Sequence, residues 1–195
     1  MEVEDVAARP PSDRRLFFGK CLTFAVASLA LVGCTGPVST EFSRAQQRRY
    51  IETDFAATLQ RLYRVAPEVQ VVAQKARGIL VFPTVVRSDP VLGERWGQGA
   101  LRVANTFMAY YQLTDTGNAE AGPEAVILMC MSFDALSQFE GNALWRLPVS
   151  TPTLDAAGHV VGGAAQAPLL ALVLDGRGIL ERPVLAGMSL APLDI

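Results

Sequence analysis

Residues 125–131 read AVILMCM, seven consecutive apolar residues that follow the turn-forming stretch GNAEAG at 117–122. A run of this length suits a strand better than a helix, which needs ten residues or more. No position in the run is polar, so neither face of such a strand is exposed to water. The stretch therefore predicts a strand that is covered on both faces.

A short helix is predicted directly after this strand. Ser132 is a favourable N-cap for FDALSQFE at 133–140, and Asp134 lies in the first turn, where the helix dipole favours a negative charge. Gly141 is expected to end the helix.

More strands are predicted upstream. The run ILVFPTVV at 79–86 is rich in β-branched and aromatic residues, and its proline predicts a bend. ALRVANTFMAYYQL at 100–113 predicts a strand or a pair of strands. The intervening GERWGQG at 93–99 has glycines that permit bulges and close backbone approach. No GK[ST] follows it, which argues against a phosphate-binding loop.

The region before these strands predicts two helices. Apolar residues recur at helical spacing over 41–65, namely at Ile51, Phe55, Leu59 and Leu62. Thr40 is the expected N-cap. A second helix is predicted for PEVQVVAQKA, with Pro67 in its first turn and Gly78 at its end.

The C-terminal part predicts a hairpin. Residues 148–168 are rich in Pro, Gly, Ala and Thr and predict irregular chain with short strand pieces. PLLALVL and GILERPVL then flank Asp175–Gly176, a strong turn signal. Together these elements predict an α+β fold, in which N-terminal helices pack on a strongly curved, mostly antiparallel sheet, with a partial barrel as one form of that sheet.

A basic stretch and an apolar run lie near the N-terminus. Arg14, Arg15 and Lys20 precede eleven uncharged residues at 22–32. A membrane-spanning helix needs about 20 apolar residues, so this run is short for one. The order of basic, apolar and small residues is typical of a secretory signal peptide. An ordinary buried or membrane helix with an incidental cysteine is the alternative.

The apolar run ends in LVGC at 31–34, which resembles the lipobox of bacterial lipoproteins. In that family the cysteine receives a diacylglycerol thioether, the preceding peptide is removed and the new terminus is acylated. The resemblance implies a signal peptide at 1–33, lipidation of Cys34, a tether at 34–40 and one domain at 41–195. Several acyl chains anchor firmly, at about 0.8 kcal/mol per buried CH₂.

Composition argues against several classes of function. The chain has 17 Lys and Arg against 19 Asp and Glu, a net charge of −2 that gives no sign of nucleic-acid binding. Of its three cysteines, Cys21 is in the leader and Cys34 is the predicted lipidation site, so Cys130 remains as a buried thiol without a disulfide partner. His159 is the single histidine. We therefore predict no metal site and no cofactor.

Four motifs in order resemble a known family. They are ARGILVFP at 76–83, the pair Tyr110 and Tyr111, the unit from AVILM to DALSQF at 125–139, and LDGRGIL at 174–180. Their order is similar to that of the SYLF domain family, whose bacterial members are often lipoproteins, and the similarity runs from about residue 55 to the end. The resemblance implies binding of membrane lipids, anionic ones above all. Some eukaryotic relatives bind phosphoinositides or actin, and an actin role does not fit a bacterial envelope.

We therefore predict a non-enzymatic, lipid-anchored protein that faces the periplasm, attached to the outer membrane, and binds anionic membrane lipids. Such binding needs an apolar groove or face and nearby cations, and the planar fork of arginine pairs well with phosphate oxygens. Residues 41–80 carry seven basic and four acidic residues. The candidate lipid-binding residues are Arg48, Arg49, Arg61, Arg64, Lys75, Arg77, Arg87 and Arg95. A solvated surface is the alternative for each, and Trp96 suits either an interface or the core.

Two other functions stay open. A structural or assembly lipoprotein would bind a protein partner at the envelope and would contact lipid only through its anchor. An enzyme would need a nucleophile and a base, and Ser132, Ser137 and Ser150 have only His159 as an imidazole partner. No G-x-S-x-G elbow occurs, so we predict no catalytic residue.

Overall fold

The computed structural model describes residues 38–87, 94–115, 124–140, 144–181, 183, 185 and 187–195. These residues contain three helices: α1 (Val38–Val65), α2 (Pro67–Ala73) and α3 (Phe133–Glu140). The predicted signal peptide, the lipidation site Cys34 and the first part of the tether lie outside the described residues, so their roles stay predictions.

The described strands form one curled sheet. The strands are β1 (Gly78–Arg87), β2 (Arg95–Val103), β3 (Thr106–Asp115), β4 (Glu124–Cys130), β5 (Trp145–Arg146), β6 (Thr153–Leu154), β7 (Val160–Val161), β8 (Leu169–Leu174) and β9 (Met188–Pro192). Their order is β5-β9-β3-β2-β1-β4-β8-β6-β7. The pairings are antiparallel, apart from one parallel contact between β6 and β8. The sheet curls through 208° as a half-barrel with α1 packed on it, which confirms the predicted α+β fold.

Both faces of the sheet are covered. Every residue of β4 is buried, as its composition predicted. Along β1 the side chains alternate: Leu80 and Phe82 pack in a cluster with α3, whereas Ile79 and Val81 pack in a cluster with α1 and α2. The alternation follows from the period of two along a strand. The predicted apolar stripe of α1 is buried in the second cluster.

The adjacent tyrosines of β3 tie the sheet to a helix on each face. Tyr110 donates a hydrogen bond from its hydroxyl to Glu52 of α1. Tyr111 donates to the main-chain oxygen of Phe139 in α3, at 3.2 Å. Successive side chains of a strand point to opposite faces, so this pair links both helical layers to one strand.

The glycines of β2 allow the backbones of β1 and β2 to approach closely. A Cβ atom at Gly97 would lie 2.9 Å from the Thr84 oxygen, and one at Gly99 would collide with the Val81 oxygen. The register of β1 shifts between Val81 and Thr84, next to Pro83, where the bend was predicted. Both the bend and the close approach are therefore confirmed.

Two predicted helix boundaries are wrong. Helix α1 begins at Val38, so Thr40 lies inside the helix and is not its N-cap. Helix α2 begins at Pro67 as predicted but ends at Ala73. Two bonds of the tighter i→i+3 type follow, from Lys75 N to the Val72 oxygen and from Ala76 N to the Ala73 oxygen, at 3.0 and 3.1 Å.

Gly78 does not end α2 but is the first residue of β1. Its role is packing, because an added Cβ would lie 2.8 Å from a methyl group of Leu136 in α3. The absence of a side chain at this position therefore lets the start of β1 approach that helix.

The predicted C-terminal hairpin is half right. The turn forms, with Asp175 N donating to the Gly178 oxygen and Leu180 N to the Val173 oxygen, each at 2.9 Å. In the described part of the segment after it, an isolated bridge forms at Ile179 and no second strand is present. The 152–154 segment pairs with that edge of β8 at Ala171, whose N–H donates to the Pro152 oxygen at 2.9 Å. The chain instead pairs as β9 with β3, elsewhere in the sheet.

Candidate functional site

A cavity of about 790 Å³ opens between the end of α2, the start of α3 and the segment 158–170. We call it the apolar cavity. Its apolar side chains include Val72, Met131, Val160, Ala165 and Leu170, and its polar side chains are Lys75, Ser132, His159 and Gln166. Its size and lining are those of a site for a small amphiphile.

Main-chain contacts fix the walls of the apolar cavity. Met131 N donates to the Pro168 oxygen at 2.8 Å and joins the end of β4 to the segment before β8. Gly158 has a φ of +75°, and a Cβ there would lie 3.3 Å from the main chain of Glu68. The turn at 155–159 therefore lies directly against α2. Asp155 Oδ1 stabilises this turn by accepting hydrogen bonds from Ala157 N and His159 N, at 2.9 and 2.8 Å.

The charge at the apolar cavity is positive. Lys75 lines it, and no carboxylate among the described residues does. His159 is 78% exposed, and its Nδ1 lies 3.4 Å from Asp155 Oδ2. The backbone N–H of His159 lowers the pKa of the Asp155 carboxyl below its ordinary value, so this acid stays ionised at neutral pH but points into its own turn.

An exposed aromatic ring and a second cation adjoin the apolar cavity. Phe133 follows the cavity residue Ser132 and is 66% exposed. The guanidinium carbon of Arg77 lies 4.8 Å from the centre of its ring. The cation–π contact fixes the position of Arg77 and contributes about 0.5–1 kcal/mol at an exposed site. Of the predicted cations, Lys75 therefore lines the apolar cavity, and Arg77 stacks on the ring that follows the cavity residue Ser132.

Other predicted cations lie away from the apolar cavity. On α1, Arg48 donates from Nε to the main-chain oxygen of Ile195 at 2.6 Å, and Arg61 donates to that of Leu174 at 3.2 Å. Arg49 and Arg64 are exposed on the same helix. None of these four lines the apolar cavity. The side chain of Arg87 lies outside the described residues.

Arg95 has a structural environment. It is 3% exposed and donates from Nε to Asp115 Oδ2 at 2.8 Å, while its Nη1 donates to Glu124. Arg95 begins β2, Asp115 ends the adjacent β3, and Glu124 begins β4, which lies beyond β1. Burial raises the pKa of the Glu124 carboxyl, although the Arg95 guanidinium opposes this shift. Arg95 has no access to a lipid headgroup, so its burial removes it from the predicted lipid-binding set.

The carboxylates of this buried cluster were missed by the sequence analysis. Asp115 and Glu124 are charged residues at the ends of strong strand patterns, which is a usual place for solvated residues. Pairing β2 with β3 as a hairpin is the signal that could have identified them, because this register places Arg95 directly opposite Asp115.

A second groove lies between α1 and strands β1 and β2, with a volume of about 460 Å³. Tyr50, which is 62% exposed, and the half-buried Trp96 line it together with Asp54. No cation of the described chain lines this groove. Trp96 therefore lies at the surface rather than in the core, but without the cations that the predicted lipid site requires.

The serines and the histidine are not joined for nucleophilic chemistry. Ser132 and His159 both line the apolar cavity, yet the Ser132 hydroxyl caps α3 by accepting a hydrogen bond from Ala135 N at 3.1 Å. This bond confirms the predicted cap. Within the described ranges, no hydrogen bond joins the two side chains.

Three further observations bear on the predicted classes. Cys130 is fully buried, and burial raises the pKa of its thiol to about 12, as suits the predicted core thiol. Among the residues described, no three His, Cys, Asp or Glu side chains cluster as a metal site. None of the helices described has the length and apolar character needed to cross a membrane.

Comparison with known proteins found no match, either to a protein-family model or to a curated protein. The similarity to the SYLF family thus depends on the order of the four motifs and stays a prediction.

Proposed function

We propose that this chain is a non-enzymatic, lipid-anchored protein of the bacterial cell envelope, facing the periplasm at the outer membrane, that binds anionic membrane lipids. One observation carries the lipid-binding part. The apolar cavity combines an apolar wall with Lys75 at its lining, and no described carboxylate opposes that charge. An anionic amphiphile needs this combination, since its chain leaves water while its headgroup keeps a partner of opposite charge.

The free energies of burying an acyl chain and of losing its motion support this assignment. Each CH₂ group that leaves water contributes about 0.8 kcal/mol, so eight of them contribute roughly 6 kcal/mol. Loss of motion on binding offsets several kcal/mol of this gain. The cation then decides which headgroup is retained, because a neutral headgroup gains nothing from Lys75.

Vesicle flotation tests the lipid-binding part. The predicted mature chain, residues 34–195 with Cys34→Ala, has neither a lipidation site nor the apolar run at 22–32, so any binding comes from the domain itself. We expect it to bind phosphatidylcholine vesicles that contain phosphatidylglycerol, less at high salt, and to bind pure phosphatidylcholine weakly. Lys75→Glu should weaken binding roughly 30-fold, since each charge near an anionic surface is worth about 1 kcal/mol and the reversal changes two.

Matched variants separate the apolar cavity from general surface charge. Arg177→Glu reverses an exposed cation that lines none of the cavities described above, and should bind as the parent chain does. Ala165→Trp should fill the apolar cavity and weaken binding, whereas Ala164→Trp, at an exposed neighbour that does not line it, should not. Equal effects of the two tryptophans would refute this assignment. Absence of binding to any vesicle would leave the assembly role, with lipid contact limited to the anchor.

The anchor has an independent test. Intact-mass spectrometry of the protein purified from bacterial membranes should show a chain that begins at Cys34 and carries added acyl mass. A full-length chain without acyl groups in the soluble fraction would refute the anchor.

A further inference from the structure

A smaller cleft lies on the other side of the connection between α2 and β1. It has a volume of about 230 Å³. Its lining includes Tyr63 of α1, Gln74, Ala76 and Arg77 of the connection, Arg102 of β2 and Asn105 of the β2–β3 turn. We call it the arginine cleft.

The arginine cleft has two positive charges and no negative one. Arg77 and Arg102 line it, and no Asp or Glu of the described chain does. Over the described ranges, neither guanidinium makes an ion pair or a hydrogen bond. Two cations around one small space produce a positive potential that an anion would neutralise.

Both guanidinium groups are held by aromatic rings. Arg77 lies over Phe133, as described above, and the guanidinium carbon of Arg102 lies 4.7 Å from the centre of the Phe55 ring. Phe55 is fully buried and packs edge-on against Phe107 with ring centres 5.1 Å apart. Stacking uses the flat face of a guanidinium and leaves its N–H edge available for a ligand. The positive groups are therefore positioned before any ligand arrives.

The other polar groups of the arginine cleft include hydrogen-bond donors. Burial raises the pKa of the Tyr63 hydroxyl, although Arg102 opposes the shift, so this group keeps its proton at neutral pH. The side chain of Asn105 supplies an amide. Ala104 beside it has a φ of +53°, the single positive value at a non-glycine residue in the described chain. The two-residue turn between β2 and β3 accounts for this value, because such hairpin turns require a positive φ.

We infer that the arginine cleft binds one phosphate-class oxyanion between the guanidinium groups of Arg77 and Arg102, with Asn105 and Tyr63 as further donors. A guanidinium edge matches two oxygens of a phosphate at once. The volume of about 230 Å³ equals roughly eight waters at about 30 Å³ each. This space suits a phosphate group with a few waters better than an acyl chain.

The phosphate has two possible sources, a lipid headgroup and a soluble phosphate compound. Arg77 connects the arginine cleft to the apolar cavity, because its guanidinium stacks on Phe133, which adjoins the cavity residue Ser132. The headgroup source rests on the function proposed above, whereas the anion site itself does not depend on it.

Calorimetric titration of the same Cys34→Ala chain, residues 34–195, with inorganic phosphate at constant ionic strength tests the site. We expect one phosphate to bind and an equal concentration of chloride not to replace it. Arg77→Gln and Arg102→Gln should each weaken binding at least about tenfold, since a hydrogen bond to a charged group contributes about 1.5–3 kcal/mol. Arg177→Gln should bind phosphate as the parent chain does. Arg77 is exposed, so its variant should fold normally even where Arg102→Gln disturbs Phe55.

Vesicles of phosphatidylcholine with phosphatidic acid identify the source. If Arg77→Gln weakens vesicle binding and phosphate competes with vesicles, the cleft takes a lipid headgroup. If phosphate binding depends on Arg77 while vesicle binding does not, the cleft takes a soluble compound. Phosphate binding that is no stronger than chloride binding, or that is unchanged in Arg77→Gln, overturns the inference. If the phosphate result overturns the inference but vesicle binding persists, the proposed function is unaffected. If phosphate binding depends on Arg77 but the chain binds no vesicle, only the anion site remains supported.

Discussion

Replacing Arg95 by methionine tests whether this residue stabilises the fold rather than a ligand. The change removes a guanidinium that is 3% exposed and leaves two carboxylates, Asp115 and Glu124, that are 1% and 4% exposed. Removing one partner of a buried ion pair costs about 3–5 kcal/mol. That is a large share of the roughly 5–15 kcal/mol that stabilises an ordinary domain.

The loss should depend on pH in a stated direction. Burial raises the folded-state pKa of Glu124 above its ordinary value of 4.5, so the folded state binds this proton more tightly than the unfolded chain does. The contribution of Glu124 to stability is therefore greatest at low pH and falls as pH rises through and above 4.5. Arg95 is the cause that opposes the shift, while Asp115 and Asp175 add to it. Without Arg95 the pKa of Glu124 should rise further, and the loss of stability as pH rises should become larger. Arg95→Met should therefore cost more stability at pH 7 than near pH 5.

Urea unfolding followed by tryptophan fluorescence measures this cost. Trp145 packs against Phe139 with ring centres 4.6 Å apart, so its emission should report loss of the core. Arg177→Met, at an exposed position, should stay within about 0.5 kcal/mol of the parent. Adding Glu124→Gln to Arg95→Met should restore part of the loss. A cost below 1 kcal/mol at pH 7, or the same cost at both pH values, would refute the reasoning.

Two substitutions and one labelling experiment test single residues. Gly99→Ala should lower the free energy of unfolding by about 1–3 kcal/mol, because the new methyl meets the Val81 oxygen, whereas Gly176→Ala has nothing within 4 Å and should be nearly neutral in thermal unfolding. Ser132→Ala should lose about 1 kcal/mol with the helix cap, and a normal melting temperature would contradict the assigned bond. In a chain whose other two cysteines are replaced, Cys130 should resist thiol reagents at pH 8, since burial raises its pKa to about 12, and should react once urea unfolds the protein. Rapid labelling of the folded chain would contradict its burial.

Much of the fold was accessible from local pattern. The apolar run at 125–131 predicted a strand covered on both faces, and β4 is buried throughout. Pro83 predicted the bend in β1, and the glycines of β2 predicted the close approach of two backbones. These features depend on a residue and its immediate neighbours, because proline and glycine act on their own backbone and periodicity acts within one element.

Local sequence patterns did not predict which segments pair with each strand. GILERPVL predicts a strand beside β8, but the segment at 152–154, which comes earlier in the chain, pairs with that edge of β8 at Ala171. The boundary error at Gly78 is of the same kind, because this residue pairs with Cys130 of β4. The pairing of a strand depends on every other segment that can hydrogen-bond to the same edge. A short sequence pattern contains no information about those other segments.

The same distinction between local pattern and tertiary arrangement applies to the candidate site. The order of residues along the chain identifies the charged side chains and the apolar strands that must be covered, and on that basis Lys75, Arg77 and Arg95 are equal candidates. Their different environments come from the folded arrangement: Arg95 is neutralised inside the sheet, Lys75 lines an apolar cavity, and Arg77 and Arg102 line one cleft. The physical reason is that the effect of a charge depends on the solvent and the countercharges around it. The fold creates those surroundings by bringing together residues that are far apart in the chain.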